Sequence, residues 1–194
     1  KSAEAEKLAN QTFFTKTHGM PYQTAGNILL RFPGHDNYQD YYRELDIEHA
    51  VARSHYTVDG VKYTREVFTS FADDVIVMQI RSSMKGKLNC TLAYENESKH
   101  TIFKSGDQLV LEGRGTDHEG VKGEVVYQIH TGVNLTDGEL VVDDESITIK
   151  DATSIRLYIS MASNFKNYKQ LGSDPSKGAT ERLQKAMRKD YQLA

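Results

Sequence analysis

A two-residue alternation of apolar and polar side chains, interrupted by turn dipeptides, is the feature that most restricts how this chain can fold. The alternation is clearest over residues 88–94, 125–129 and 155–161, and it recurs over residues 76–80. Successive side chains of a β-strand point to opposite faces of a sheet, so each run predicts a strand with one buried face. The sequence therefore predicts a mainly β protein.

Turn dipeptides separate the predicted strands: Asp59-Gly60, Lys85-Gly86, Gly106-Asp107 and Asp137-Gly138. Asp59-Gly60 is the strongest of them, because glycine accepts the positive φ that a two-residue hairpin turn requires. Roughly ten short strands at such spacing favour antiparallel sheets over a βαβ arrangement. We therefore predict an antiparallel β-sandwich over about residues 26–162.

Two segments with helical periodicity flank the predicted sandwich. A short N-terminal helix is predicted over about residues 2–14, where apolar residues recur at three- and four-residue spacing. A C-terminal helix is predicted over about residues 176–191, with an apolar stripe that includes Ala179, Leu183 and Ala186. This second helix either packs on the sandwich or links it to a following domain. A length of 194 residues suits one domain, so we treat residues 1–194 as a single unit.

Charge and cysteine content restrict the possible functions. The formal net charge is −3, with Lys and Arg scattered along the chain, so we expect no nucleic-acid partner. No segment approaches the ~20 apolar residues of a membrane span, so we expect no membrane partner. The single cysteine, Cys90, shares a predicted strand face with Leu88 and Leu92, which predicts a buried core thiol.

Motifs for metal or cofactor binding are not evident in the sequence. The seven histidines lack metal-ligand spacing, so we predict neither a metal site nor a cofactor. Gly113-Arg114-Gly115, followed by Gly120, lacks the strand–helix context of a nucleotide-binding loop.

Three groups of carboxylates are candidates for acid–base chemistry. Asp73-Asp74 and the acidic triplet at 143–145 lie in predicted turns, where adjacent acids are usually solvated and splay apart. Glu44 and Asp46 share one strand face. Cross-strand ion pairs are the alternative role of that face, with three charged residues available: Arg43, Arg65 and Glu66.

Tyrosines cluster around a Phe-Pro-Gly turn at residues 32–34, namely Tyr22, Tyr38, Tyr41 and Tyr42. Aromatic rings offer an apolar face for sugars and the tyrosine hydroxyl adds a polar contact, so carbohydrate contact is one interpretation. The chain has no tryptophan, and core or rim packing is the other interpretation.

The run from Met20 to Ser70 contains a Pro-Tyr-Gln loop, a short apolar strand, the Phe-Pro-Gly turn and a Tyr-Arg-Glu-Leu-Asp strand. It ends with the Asp-Gly hairpin and Tyr-Thr-Arg-Glu-Val-Phe at residues 63–68. This order resembles the N-terminal β-domain of glycoside hydrolase family 95, the 1,2-linkage α-L-fucosidases, which is related to the family 65-type N-terminal domain. Asn-Phe-Lys-Asn-Tyr at residues 164–168 resembles the same domain. The family's Pro-Leu-Gly-Asp-Leu after Pro-Tyr-Gln is replaced here by Thr-Ala-Gly-Asn-Ile.

The resemblance implies a β-supersandwich that precedes an (α/α)6 barrel, with some family strands lying ahead of residue 1. The family's catalytic carboxylates and water-positioning asparagines belong to that barrel, which we expect to lie outside this chain. We therefore assign no catalytic residue here and expect residues 1–194 alone to be inactive. The implied partners are the chain's own barrel and, through the full-length enzyme, fucosylated oligosaccharides. The implied location is periplasmic or extracellular.

Five residues are candidates for the wall of the substrate cleft or for the domain interface: His18, Tyr22, Gln23, Tyr41 and Tyr42. We expect the Pro-Tyr-Gln loop to face the barrel, because it is a conformationally restricted polar loop ahead of an apolar strand. The rival interpretations are a self-standing carbohydrate-binding β-sandwich and a purely structural interaction domain.

Overall fold

The computed structural model describes residues 1–13, 19–189 and 191. The described residues form two helices and fourteen strands, which are, in chain order: α1 Ser2–Thr12, β1 Asn27–Arg31, β2 Gln39–Asp46, β3 Val51–Val58, β4 Val61–Ser70, β5 Val75–Ser82, β6 Leu88–Glu95, β7 His100–Ser105, β8 Gln108–Arg114, β9 Val126–Leu135, β10 Glu139–Val142, β11 Ser146–Ala152, β12 Ser154–Ser163, β13 Phe165–Asn167, β14 Gln170–Leu171 and α2 Pro175–Met187.

Two antiparallel sheets stack to form the sandwich that the sequence predicted. The larger sheet has eight strands in the order β2-β3-β4-β5-β12-β9-β8-β7, and the smaller has four in the order β1-β6-β11-β10. Strands β13 and β14 pair separately. Consecutive strands such as β2 to β5 are joined as hairpins, while the chain changes sheet after β1, β5, β6, β9 and β11. The predicted mainly β, antiparallel sandwich with two helices is confirmed.

The predicted Asp59-Gly60 turn closes the hairpin between β3 and β4. Asp59 and Gly60 have φ values of 47° and 76°, and Val58 pairs with Val61 across the turn. Two positive φ values in a two-residue connection match the twist of the adjoining strands. The prediction of a tight hairpin at this position is confirmed.

The main core lies between the two sheets and is built from the predicted alternating faces. Leu88, Cys90 and Leu92 of β6 are buried against residues of the larger sheet such as Leu111 and Leu157. Burying one such aliphatic side chain stabilises a fold by about 1.5–3 kcal/mol. Burial also raises the pKa of the Cys90 thiol to about 12, which confirms the prediction of a buried core cysteine.

The smaller sheet covers only part of the inner face of the larger one. Along β12 the inner residues change from Leu157, 1% exposed, to Met161, 47% exposed. β1 is an edge strand of the smaller sheet, and a groove of about 520 Å³ lies beside it. Its lining includes Ile28, Ile76 and Ile159, and we call it the β1 groove.

A second, smaller core lies on the outer face of the larger sheet, under α2. Leu183 and Ala186 of the helix are buried against Val77 and Tyr158. The predicted apolar stripe therefore packs on the sandwich, which is one of the two roles that the sequence left open.

The bounds of α2 differ from the predicted ones. The helix begins at Pro175, where the Asp174 side chain caps it by accepting a hydrogen bond of 3.2 Å from the Lys177 N–H. It ends at Met187 rather than near residue 191. Tyr191 lies beyond the helix, with its ring packed against Phe68 at 5.5 Å.

Helix α1 carries the predicted apolar stripe but does not bury it against the described part of the chain. None of its residues is buried, and Leu8 and Phe13 are mostly exposed. The predicted last residue, Phe14, lies outside the described residues. Within the described part of the chain, neither helix is both long enough and apolar enough to span a membrane.

Candidate functional site

The structure places the candidate residues in two separate regions. Tyr22 and Gln23 lie on the connection between α1 and β1, whereas Tyr41 and Tyr42 lie on β2. Gln23 contacts the segment that follows β8, and five strands separate β2 from β8 in the larger sheet. At the usual strand spacing this corresponds to roughly 29 Å along the sheet. His18 lies outside the described residues.

Gln23 joins the Pro-Tyr-Gln loop to the segment after β8. The Thr116 backbone N–H donates to Gln23 Oε1 at 3.1 Å, and Gln23 Nε2 donates to Thr116 Oγ1. Both polar atoms of the Gln23 side-chain amide are therefore hydrogen-bonded to Thr116. The contact fixes the position of Tyr22, whose side chain is 97% exposed. The sequence singled out Gln23, but Thr116 gave no signal of its own.

The segment 114–123, which we call the β8 loop, is closed by its own hydrogen bonds. His118 and Val121 exchange two backbone hydrogen bonds of 2.9 Å, and Gly115 N–H donates to Val125 O at 2.9 Å. Gly123 approaches Gly115 so closely that a Cβ at residue 123 would lie 2.0 Å from the Gly115 carbonyl oxygen. The backbone contact therefore requires glycine at position 123.

A polar hollow of about 430 Å³ lies at the β8 loop, and we call it the β8 hollow. Its lining residues are Lys99, Arg114, Gly115, Thr116, Asp117 and Lys122. Three cations therefore share this depression with one carboxylate. The sequence did not predict this site, since Lys99 lies outside the glycine-containing segment and its neighbours along the chain gave no sign of the contact.

Tyr41 and Tyr42 face different surroundings on β2. The Tyr41 ring packs near Tyr38, whose ring in turn meets Tyr56 at 6.0 Å. Tyr42 packs near His55, with ring centroids 5.2 Å apart, and its hydroxyl donates to Glu44 at 2.9 Å. Since Tyr56 and His55 are adjacent in β3, they lie on opposite faces of the sheet. The two tyrosines therefore do not form one common platform.

Arg65 is held among aromatic rings beside the Phe-Pro-Gly turn. Its guanidinium carbon lies 4.4 Å from the Phe32 ring centroid, and Nη2 donates to the Tyr56 hydroxyl at 3.1 Å. Burial and the charge of Arg65 lower the pKa of nearby His35. The turn thus brings Phe32 and His35 over the sandwich core, which is a packing role.

The outer face of β2–β4 carries an ion group centred on Arg53. Its guanidinium contacts Glu44 at 3.5 Å, Asp46 at 3.0 Å and Glu66 at 3.2 Å. Ion pairing was the predicted alternative for this face, but the predicted cations were wrong. Arg43 of β2 and Arg65 of β4 both lie opposite Ser54 of β3, one on each side of it. Both arginines are therefore on the inner face of the sheet.

Two further carboxylates are used for structure. Asp73 is buried and accepts hydrogen bonds from Lys189, from the Tyr191 hydroxyl at 2.7 Å and from Ser70 at 3.2 Å. The prediction of a solvated turn residue was wrong for Asp73. Asp143 accepts backbone hydrogen bonds of 2.8 and 2.7 Å from Glu145 and Ser146, and so closes its own turn.

Hydrogen bonds lower the pKa of three of these carboxyl groups, Asp46, Asp73 and Asp143. Donation by His49 and Arg53 holds the pKa of Asp46 well below its usual range. Donation by Lys189 and Tyr191 lowers that of Asp73 to about 2, and backbone donors lower that of Asp143. A general acid that works near neutral pH needs the opposite shift. These groups are therefore unsuited to protonate a leaving group.

Over residues 1–13, 19–189 and 191, no group of three or more His, Cys, Asp and Glu side chains is placed to hold a metal ion.

Comparison with known proteins matches residues 1–168 to the model of the glycosyl hydrolase family 65 N-terminal domain. Alpha-L-fucosidase 2 of Arabidopsis thaliana is 38% identical over 117 residues, which cover 58% of this chain and 13% of that protein. A structure of a proposed kojibiose phosphorylase from the human microbiome superposes with a TM-score of 0.59 at 15% identity. That match covers 87% of this chain and 26% of the other, and it supports the fold alone.

Proposed function

The chain belongs to the glycosyl hydrolase family 65 N-terminal domain family, and we propose that it is the non-catalytic N-terminal domain of an α-L-fucosidase-like glycosidase. In this proposal it supports an (α/α)6 catalytic barrel and forms part of the wall of the substrate cleft. The similarity to a plant α-L-fucosidase over 117 residues is the observation that favours this class of enzyme.

The state of the carboxylates supports a non-catalytic role. An inverting glycosidase needs an acid with a raised pKa and a second carboxylate roughly 6.5–9.5 Å away. Here Asp46, Asp73 and Asp143 are held in the ionised form by hydrogen bonds that serve turns and ion pairs. In the proposal the acid and base come from residues beyond those in this chain, which spans 13% of the length of the fucosidase it matches.

The Pro-Tyr-Gln loop is the proposed contact with the barrel and the substrate. Tyr22 presents nearly its whole side chain to solvent while Gln23 anchors the loop to Thr116. An exposed aromatic ring on a fixed loop loses little conformational freedom on contact with a sugar or another domain. This combination makes Tyr22 the best candidate for a cleft residue in the described part of the chain.

The experiment compares the isolated chain with the full-length enzyme on a 1,2-linked fucosyl oligosaccharide. We expect turnover only by the full-length enzyme, and Tyr22→Ala in that enzyme should reduce kcat/KM without lowering the melting temperature. Tyr168→Ala is the matched control, since Tyr168 is also strongly exposed, and it should leave both quantities unchanged. Hydrolysis by residues 1–194 alone would overturn the non-catalytic role. Unchanged kinetics in the Tyr22 variant would remove the cleft-wall role.

A self-standing carbohydrate-binding module is the second candidate, favoured by the solvent-facing ring of Tyr22. It predicts micromolar-to-millimolar binding of neutral fucosylated oligosaccharides by the isolated chain. Absence of such binding favours the scaffold.

A further inference from the structure

We propose that the β8 hollow binds an anionic substituent of a carbohydrate, either a sulfate ester or a uronate carboxylate. The inference rests on the proposed function, because it assigns a substrate feature to the surface next to the Pro-Tyr-Gln loop. It concerns recognition of charge at a position separate from the bond that is cleaved.

An excess of unneutralised positive charge is the first argument. Lys99 and Lys122 make no ion pair or hydrogen bond within the described residues, although both line the hollow. Other cations of this fold do find carboxylates, as Arg53 does with three of them and Arg182 does with Asp74 at 3.1 Å. Lysines that share a concave surface attract an oxyanion more strongly than scattered ones do.

The one carboxylate in the hollow is already engaged. Asp117 Oδ1 accepts a hydrogen bond of 3.0 Å from the Gly123 N–H. Arg114 Nε donates to the Gly123 carbonyl oxygen at 2.6 Å. This second bond fixes the guanidinium, and its two terminal nitrogens have no partner among the described residues. A planar fork of donors matches the paired oxygens of a carboxylate or sulfate group.

The hollow is also preorganised. The His118–Val121 hydrogen bonds and the Gly115–Gly123 backbone contact close the β8 loop on itself. Gln23 then ties Thr116 to the Pro-Tyr-Gln loop. A site whose shape is set before binding avoids the entropic cost of ordering its loops.

Size and surroundings favour a sugar as the carrier of the anion. A volume of about 430 Å³ is within the range of small-molecule sites, and Thr116 adds a hydroxyl to the charged lining. Tyr22, adjacent to the bracing Gln23, adds an exposed ring near the same loop pair. A neutral sugar in this position would leave the two lysines and the terminal nitrogens of Arg114 without an anionic partner among the described residues.

The test titrates the purified chain with four probes: sulfated fucan oligosaccharide, oligogalacturonate, a neutral fucosylated oligosaccharide and sodium sulfate. We expect at least one anionic oligosaccharide to bind about tenfold more tightly than the neutral one, which is what a single charge-assisted hydrogen bond provides. Binding should weaken as salt rises. The two anionic probes distinguish sulfate from carboxylate recognition.

The variant Lys99→Ala/Lys122→Ala should lose most of this preference, and since both lysines are exposed its folding is retained. The matched control is Lys150→Ala/Lys166→Ala, which removes the same charge from exposed positions outside the hollow. Equal losses in both double variants would overturn the site in favour of general electrostatic attraction. Equal affinity for neutral and anionic sugars, or binding of inorganic sulfate alone, would also overturn it. Because these titrations need no turnover, their failure is distinguishable from failure of the fucosidase proposal.

Discussion

The eight-stranded sheet carries an apolar layer on each face, and the two layers end in different surroundings. On the outer face, Val77 and Tyr158 are fully buried beneath Leu183 of α2. On the inner face, the smaller sheet stops at β1, and residues beyond it such as Met161 border the open β1 groove. The described chain therefore completes one layer with its own helix and leaves part of the other open.

The outer and inner layers also differ in the polar contacts at their borders. The outer face closes with a buried carboxylate, Asp73, which binds Lys189 and Tyr191 of the segment after α2. This contact holds Lys189 and Tyr191 against the sheet, and we call it the Asp73 clasp. The groove beside β1 has a mainly apolar lining and is bordered by the exposed ring of Phe71. The outer layer is therefore held by the side-chain bonds of Asp73 as well as by apolar packing.

The largest expected effect comes from breaking the closed layer. Leu183→Ala leaves a cavity under α2 and should lower the free energy of unfolding by about 2–5 kcal/mol. Urea denaturation followed by circular dichroism measures this. A loss below 1 kcal/mol would mean that the helix contributes little to the sandwich.

A smaller effect is expected from the Asp73 clasp, and it depends on pH. Asp73 has a folded-state pKa of about 2 against an ordinary value of 3.8, so its ionised form stabilises the fold above pH 3.8. That stabilisation is lost as the pH falls from 3.8 to about 2. Asp73→Asn should therefore lower the melting temperature at pH 7, and the difference from wild type should shrink toward pH 2.

Asp74→Asn is the control for the clasp. Asp74 is largely exposed and pairs with Arg182 at 3.1 Å, so its loss should matter much less. Equal melting temperatures for the two variants at pH 7 would contradict the clasp.

The smallest effect is expected in the open layer. Met161→Ala should change the free energy of unfolding by no more than about 1 kcal/mol, because nearly half of the side chain is already in solvent. The same denaturation assay measures it beside Leu183→Ala. A cost equal to that of Leu183→Ala would show that the groove is closed in solution.

Local patterns were sufficient to predict much of the fold. Alternation identified the buried face of β6 through Leu88, Cys90 and Leu92, and Asp59-Gly60 identified the hairpin between β3 and β4. These signals depend on one strand or one turn, so no knowledge of partners is needed. The stripe of α2 was equally visible, since Leu183 and Ala186 recur at helical spacing.

Contacts between distant segments could not be predicted from these local patterns. Arg53, rather than Arg43 or Arg65, joins Glu44 and Asp46, because strand register decides which residues are opposite each other. The burial of Asp73 likewise depends on where α2 ends.

The surroundings of the β2 tyrosines and the β8 hollow could not be read from the sequence, for related reasons. An irregularity between Gln39 and Tyr42, with Asp40 at a φ of 53°, alters the pairing of β2 beside its tyrosines. Lys99 and Lys122 come together only through the packing of separate loops. Sequence could identify Gln23 as a loop residue, but only the fold supplies its partner.

The bond pair between Gln23 and Thr116 spans 93 positions of the chain. A substitution at either position changes which side chain at the other can complete the hydrogen bonds. The two positions should therefore covary among homologous sequences. Grafting one loop into a homologue without the other would leave an amide or a hydroxyl unmatched. The Pro-Tyr-Gln loop and the β8 loop should therefore change together, both in evolution and in loop-grafting experiments.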